Sequence, residues 1–129
     1  MSNLKTIALM AAAALPLAAC TAERDSGGRA GAPAAVAVGD PVNCVQTSLI
    51  RDTRVHDDST IDFHMRNNTI FRNTLPNRCS GLGFERRFAY RTTIGRLCNV
   101  DTITVLRSGG INGPSCGLGQ FVPVELTDD

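Results

Sequence analysis

The stretch RVHDDSTIDFH, residues 54–64, gathers His56, Asp57, Asp58, Asp62 and His64, and it contains both histidines of the chain. Imidazoles and carboxylates are the groups from which metal sites and general acid–base pairs are made. His56, Asp58 and His64 are therefore candidate metal ligands, and this cluster is where a metal-dependent protein or an enzyme would do its chemistry. A plainer reading competes. Asp57-Asp58-Ser59 is also ordinary turn sequence, whose side chains bond nearby backbone amides. The alternation of Ile61, Phe63 and Met65 with Asp62 and His64 puts the last two on the solvent face of a strand. The pattern favours this turn-and-surface reading. Nothing marks a nucleophile: no G-x-S-x-G elbow occurs, and Ser48, Ser59, Ser80, Ser108 and Ser115 have no distinguishing context. No catalytic residue and no cofactor is assigned.

Basic residues offer a second candidate. From residue 42 onward there are ten Arg and no Lys against nine Asp and Glu, a net charge of one positive. Arg86, Arg87, Arg91 and Arg96 fall around Phe88 and Tyr90, and Arg beside aromatic rings can bind phosphate-bearing headgroups or glycans. A solvated strand face is the commoner meaning of such a run. The near-neutral balance argues against a nucleic-acid partner. The glycine-rich stretch LRSGGINGPSCGLG, residues 106–119, lacks the spacing of a phosphate loop and is expected to be a long flexible hairpin connection.

The elements that must hold these groups follow from the rest of the chain. Residues 6–17, TIALMAAAALPL, carry no charge and fit the apolar region of an export signal, being too short to span a membrane. Leu17-Ala18-Ala19-Cys20 then resembles the lipobox of bacterial lipoproteins, in which the cysteine receives a diacylglycerol thioether and becomes the first residue of the mature chain. The resemblance implies residues 1–19 as a signal peptide and Cys20 as a lipidation site. Thr21 stands where Asp would mark inner-membrane retention, so the expected location is the outer membrane, facing the periplasm. Residues 20–41, rich in Gly, Ala and Pro, are expected to be a flexible tether.

With Cys20 set aside, Cys44, Cys79, Cys98 and Cys116 remain, spaced 35, 19 and 18 residues apart. Zinc ribbons and fingers draw ligands in close pairs, so two disulfides are the expectation. The echo between CSGLGF (79–84) and CGLGQF (116–121) favours Cys79 with Cys116, leaving Cys44 with Cys98, among three connectivities. Residues 42–129 are expected to form one all-β domain, a small antiparallel sheet curled into a barrel or sandwich of five to seven strands. Asn67-Asn68 supplies a hairpin turn, and alternation marks Phe84, Phe88 and Tyr90, then Ile103 and Val105, then Val122, Val124 and Leu126. Brief helices are allowed at 43–50 and 82–87.

The order V-x-D-D-x-T-I-x-F (55–63), N-x-L-x-x-x-C-x-G-L (73–82), L-C-x-x-D-x-I-x-V (97–105) and C-G-L-G-x-F (116–121) is similar to a family of small exported proteobacterial proteins classed as a domain of unknown function. That resemblance implies an exported β domain and brings no activity or catalytic residue with it. The expected function is a non-enzymatic structural or binding module of the cell envelope, joined to a membrane through its lipid and engaging an envelope protein, glycan or lipid. The alternative is a metal-dependent protein or enzyme using the His56–His64 cluster.

Overall fold

The computed structural model describes residues 31–92 and 94–127, so Cys20 and the signal segment lie outside the described residues. Ten strands are present among them: β1 (Ala35–Ala37), β2 (Cys44–Gln46), β3 (Ile50–Asp57), β4 (Thr60–Met65), β5 (Ile70–Thr74), β6 (Phe88–Tyr90), β7 (Arg96–Cys98), β8 (Thr102–Leu106), β9 (Asn112–Gly117) and β10 (Phe121–Leu126). They form three antiparallel sheets, ordered β1-β10-β5-β4-β3, β2-β7 and β6-β8-β9. The all-β expectation holds, with ten strands rather than five to seven. The strands that the sequence did not mark are β1, β2 and β7, each three residues and too short to show a period, together with β3 and β9. Helix is confined to a 3-10 turn at Thr47–Leu49 and α1 at Leu82–Glu85.

One apolar core joins the sheets. Ile61 and Phe63 of β4, Leu97 of β7, Ile103 and Val105 of β8 and Phe121 of β10 are fully buried in it. Phe63 is central, with its ring edge-on to Phe121 at 5.2 Å and to Phe88 at 6.2 Å between centroids. Burying several large side chains of this kind, at roughly 1.5–3 kcal/mol each, is what a small domain needs to offset chain entropy. Two disulfides assist: Cys44–Cys98 joins directly opposed residues of β2 and β7, and Cys79–Cys116 joins the loop before α1 to β9.

The β4–β5 hairpin turns where Asn67-Asn68 predicts. Asn68 adopts positive φ (69°), and Asn67 Oδ1 accepts the Thr69 amide at 3.0 Å. A buried clamp secures the other side of β5. The Asn73 amide donates to the Gly119 carbonyl at 2.7 Å while its oxygen accepts the Gly119 amide at 2.8 Å. Gly119 lies so close to the Thr74 carbonyl that a Cβ would overlap it, which is why glycine stands there.

Several expectations are corrected. Phe84 does not share the alternation of Phe88 and Tyr90: it lies on α1, 88% exposed, because positive φ at Gly81 and Arg86 closes a single helical turn that buries Leu82 instead. The stretch 106–119 is not a long flexible connection, since positive φ at Gly109 and Gly110 makes a short turn and Asn112–Gly117 pairs with β8. Pro114 is tolerated in β9 because an edge strand has a neighbour on one side only. Part of the stretch read as tether is ordered, because β1 pairs with β10 and the Thr127 amide donates to Ala34. Asp62 and His64 are buried rather than solvent-facing. β4 is an inner strand, and His56 of β3 and Arg72 of β5 close over Asp62.

A non-reduced digest of the chain is expected to yield Cys44–Cys98 and Cys79–Cys116 peptides. Reduction should lower unfolding stability by about 2–5 kcal/mol for each bond lost, measured by urea denaturation; crossed pairings or an unchanged midpoint would contradict the arrangement.

Candidate functional site

β3 and β4 are joined by a two-residue turn at Asp58-Ser59, built as the sequence predicts, with Asp57 Oδ1 accepting the Ser59 amide at 2.8 Å. The loop preceding α1 is fastened to this turn. Asp58 Oδ1 accepts the Gly83 amide at 2.7 Å, its Oδ2 accepts Arg78 Nε at 2.9 Å, and its backbone carbonyl accepts the Cys79 amide at 2.8 Å. Gly83 packs so closely that a Cβ would stand 3.0 Å from the Asp57 backbone. Between hairpin and loop lies an open depression of about 510 Å³, lined by His56, Asp57, Asp58, Ser59, Thr60, Arg78 and Gly83.

Beneath it sits a buried charge. Asp62 is 0% exposed, and its carboxylate accepts Arg72 Nε at 2.8 Å on one oxygen and Arg72 Nη2 at 3.0 Å on the other. His56 Nε2 lies 2.9 Å from Asp62 Oδ2. An isolated carboxylate in such a place would be expelled or neutralised; a bidentate guanidinium is the partner that best matches it. Burial alone pushes the Asp62 carboxyl upward, but the hydrogen bonds and charge of Arg72, joined by His56, outweigh it and hold the group below the ordinary carboxylate range. The hydrogen bond to Asp62 holds the Arg72 guanidinium correspondingly higher, against its burial.

His64 behaves differently. It is 9% exposed, its Nε2 has no hydrogen-bond partner, and burial pushes its pKa down, with Arg54 and Arg51 acting in the same sense and Asp52 and Asp62 opposing. The ring is thus a neutral member of the sheet face, across from Asp52.

The three candidate metal ligands are therefore not brought together. His56 is turned to Asp62, Asp58 is occupied by Gly83 and Arg78, and His64 stands beyond Asp62 on β4. Among the described residues no group of three or more His, Cys, Asp or Glu is placed to hold a metal ion. The four clustered arginines also separate. Arg86 caps α1 with positive φ, Arg87 and Arg91 flank β6, and Arg96 belongs to β7 in another sheet. Arg72 and Arg78 are the residues that sequence reasoning missed. For Arg72 a signal exists, because counting outward from the Asn67-Asn68 turn sets it opposite Asp62; for Arg78, on an irregular loop, there is none.

A family model described as a family of unknown function (DUF6491) matches residues 3–127. No curated protein and no solved structure matched the chain.

Acid should weaken the fold in two windows. His64, with its folded pKa depressed, contributes stability that is present above its unfolded value of about 6.5 and is lost as pH falls through the folded value. Asp62, also depressed, contributes stability present above about 3.9 and lost below it. Urea midpoints measured from pH 8 to pH 3 should show His64→Phe flattening the upper window and Asp62→Asn the lower; unchanged profiles in both variants would refute the assignment.

Proposed function

The chain belongs to the DUF6491 family, a family of unknown function, and from that premise we propose that it is a cell-envelope lipoprotein. Lipid on Cys20 anchors it to a membrane, with the outer membrane as the favoured site, and its β domain is a non-enzymatic binding module facing the periplasm. The observation that carries the reading is the cysteine pairing. Cys44, Cys98, Cys79 and Cys116 are all consumed within the domain, so Cys20 alone is left over, and it directly follows Leu17-Ala18-Ala19. Disulfides of this kind persist in oxidising compartments beyond the cytoplasm. The family match begins at residue 3, so the signal-like segment and the lipobox-like residues fall within the sequence that the family shares.

A binding rather than catalytic role is supported by how the polar groups are used. Both oxygens of Asp58 and both of Asp62 are spent in holding loop to hairpin and strand to strand. What they leave facing solvent is a fixed surface, and fixed surfaces bind with little ordering cost.

In bacteria fed an alkyne fatty acid, the chain should take up label and sediment with membranes of outer-membrane density, whereas Cys20→Ala should do neither. Equal labelling of Cys20→Ala, or an unlabelled wild-type chain in the soluble fraction, would overturn the anchor.

A further inference from the structure

The register of the β6-β8-β9 sheet sorts the arginines by face. Phe88 and Tyr90 pack against the core, so Ala89 points outward, and continuing the alternation turns Arg87 and Arg91 outward with it. Arg87 lies opposite Leu106, whose amide donates to its carbonyl at 3.0 Å. Across the sheet the same face presents Thr102, Thr104, Ser115 and Asn112. Two guanidinium groups therefore flank a row of hydroxyls and a carboxamide, four strand residues or roughly 13 Å apart at the backbone. Beside the small Ala89 runs a groove of about 300 Å³, lined by Tyr90, Arg91, Thr102, Thr104, Leu106 and Asn112, with Arg87 just outside this lining, opposite Leu106.

Charge on this face is unmatched. Arg51 and Arg54 pair with Asp52, Arg72 with Asp62 and Arg78 with Asp58. Among the described residues Arg87 and Arg91 have no carboxylate partner, as is also true of Arg66, Arg86, Arg96 and Arg107, and neither Asp nor Glu falls on the register positions of their face. Thr104 Oγ1 and Ser115 Oγ bond each other at 2.9 Å, so one hydroxyl hydrogen of the pair remains to donate outward. Two guanidinium forks and a hydroxyl donor on one face offer more donors than a carboxylate can accept and suit a tetrahedral oxyanion.

We infer that the solvent face of β6-β8-β9, with Arg87 and Arg91 at its rim, is a binding site for a phosphate-bearing ligand. The inference rests on the reading of the domain as a binding module, and it names the ligand class for it. Arg86 and Arg96, although adjacent in sequence, take no part, because one caps α1 and the other lies in the β2-β7 sheet. A lipid headgroup and a free phosphate ester present the same chemistry.

The test uses the full chain carrying Cys20→Ser in dodecyl maltoside micelles, with backbone amide shifts at Ala89, Thr102 and Thr104 as the readout. Glycerol 3-phosphate and inorganic phosphate are titrated in one arm, and micelles doped with phosphatidylglycerol in the other. Saturable shifts in the first arm identify a soluble phosphate ester as the ligand, and shifts in the second arm alone identify a headgroup; either supports the site. The double variant Arg87→Gln/Arg91→Gln should bind at least about tenfold more weakly, the loss expected from removing a charge-assisted hydrogen bond, while Arg96→Gln binds as before. Absence of shifts in both arms, or an equal loss from Arg96→Gln, overturns the proposal. Saturable binding together with a Cys20 that carries no lipid in cells would refute the anchor and leave the phosphate site standing.

Discussion

A fully buried carboxylate on an inner strand of a sheet is the constraint around which the rest of this domain is arranged. Asp62 cannot stay charged and dry on its own, since taking an ion out of water costs several kcal/mol that only close partners return. Arg72 meets it with two hydrogen bonds from β5, and His56 approaches from β3. Three strands are thereby held in one register. A slip of one residue would move Asp62 into the core beside Phe121 and push Phe63 to the outside.

With that register fixed, one end of the β3–β4–β5 unit becomes a platform. There the Asp57-Asp58-Ser59 turn receives the Gly83 and Cys79 amides and so carries the loop that leads to α1. Cys79 continues the chain of attachment through its disulfide to Cys116, on the three-stranded sheet. Around the five-stranded sheet Arg51, Arg54, Arg72 and Arg78 are matched by aspartates, whereas Arg66 there, like Arg87 and Arg91 on the three-stranded sheet, is not.

Much of the frame was legible in the sequence, for physical reasons that also mark where legibility stopped. The Asn67-Asn68 turn and the Ile61, Phe63, Met65 period are local signals, and both appear in the structure as expected. The solvent-facing expectation for Asp62 and His64 failed because a period of two separates faces without saying whether both are covered. Composition favoured exposure; the bidentate partner that makes burial tolerable lies ten residues away and becomes visible only when the hairpin register is counted. A brief helix was allowed at 82–87 and is present, but Phe84 was also grouped with the strand alternation of Phe88 and Tyr90, because Gly-Leu-Gly has no helical period of its own and closing a turn there depends on positive φ at Gly81 and Arg86. The arginine cluster was seen as a cluster but not sorted, since neighbours in sequence fall on different sheets once β6 and β7 find their separate partners.

The Asp62–Arg72 pair is thus the interaction on which sheet register, the hairpin platform and the loop above it all depend. A double-mutant cycle with Asp62→Leu and Arg72→Leu, followed by urea denaturation at pH 7, tests this most directly. Each single change should cost about 3–5 kcal/mol by stranding the other charge, and the double variant should recover much of it, a coupling of several kcal/mol. Additive single effects, with coupling under about 0.5 kcal/mol, would show that the pair does not organise the fold.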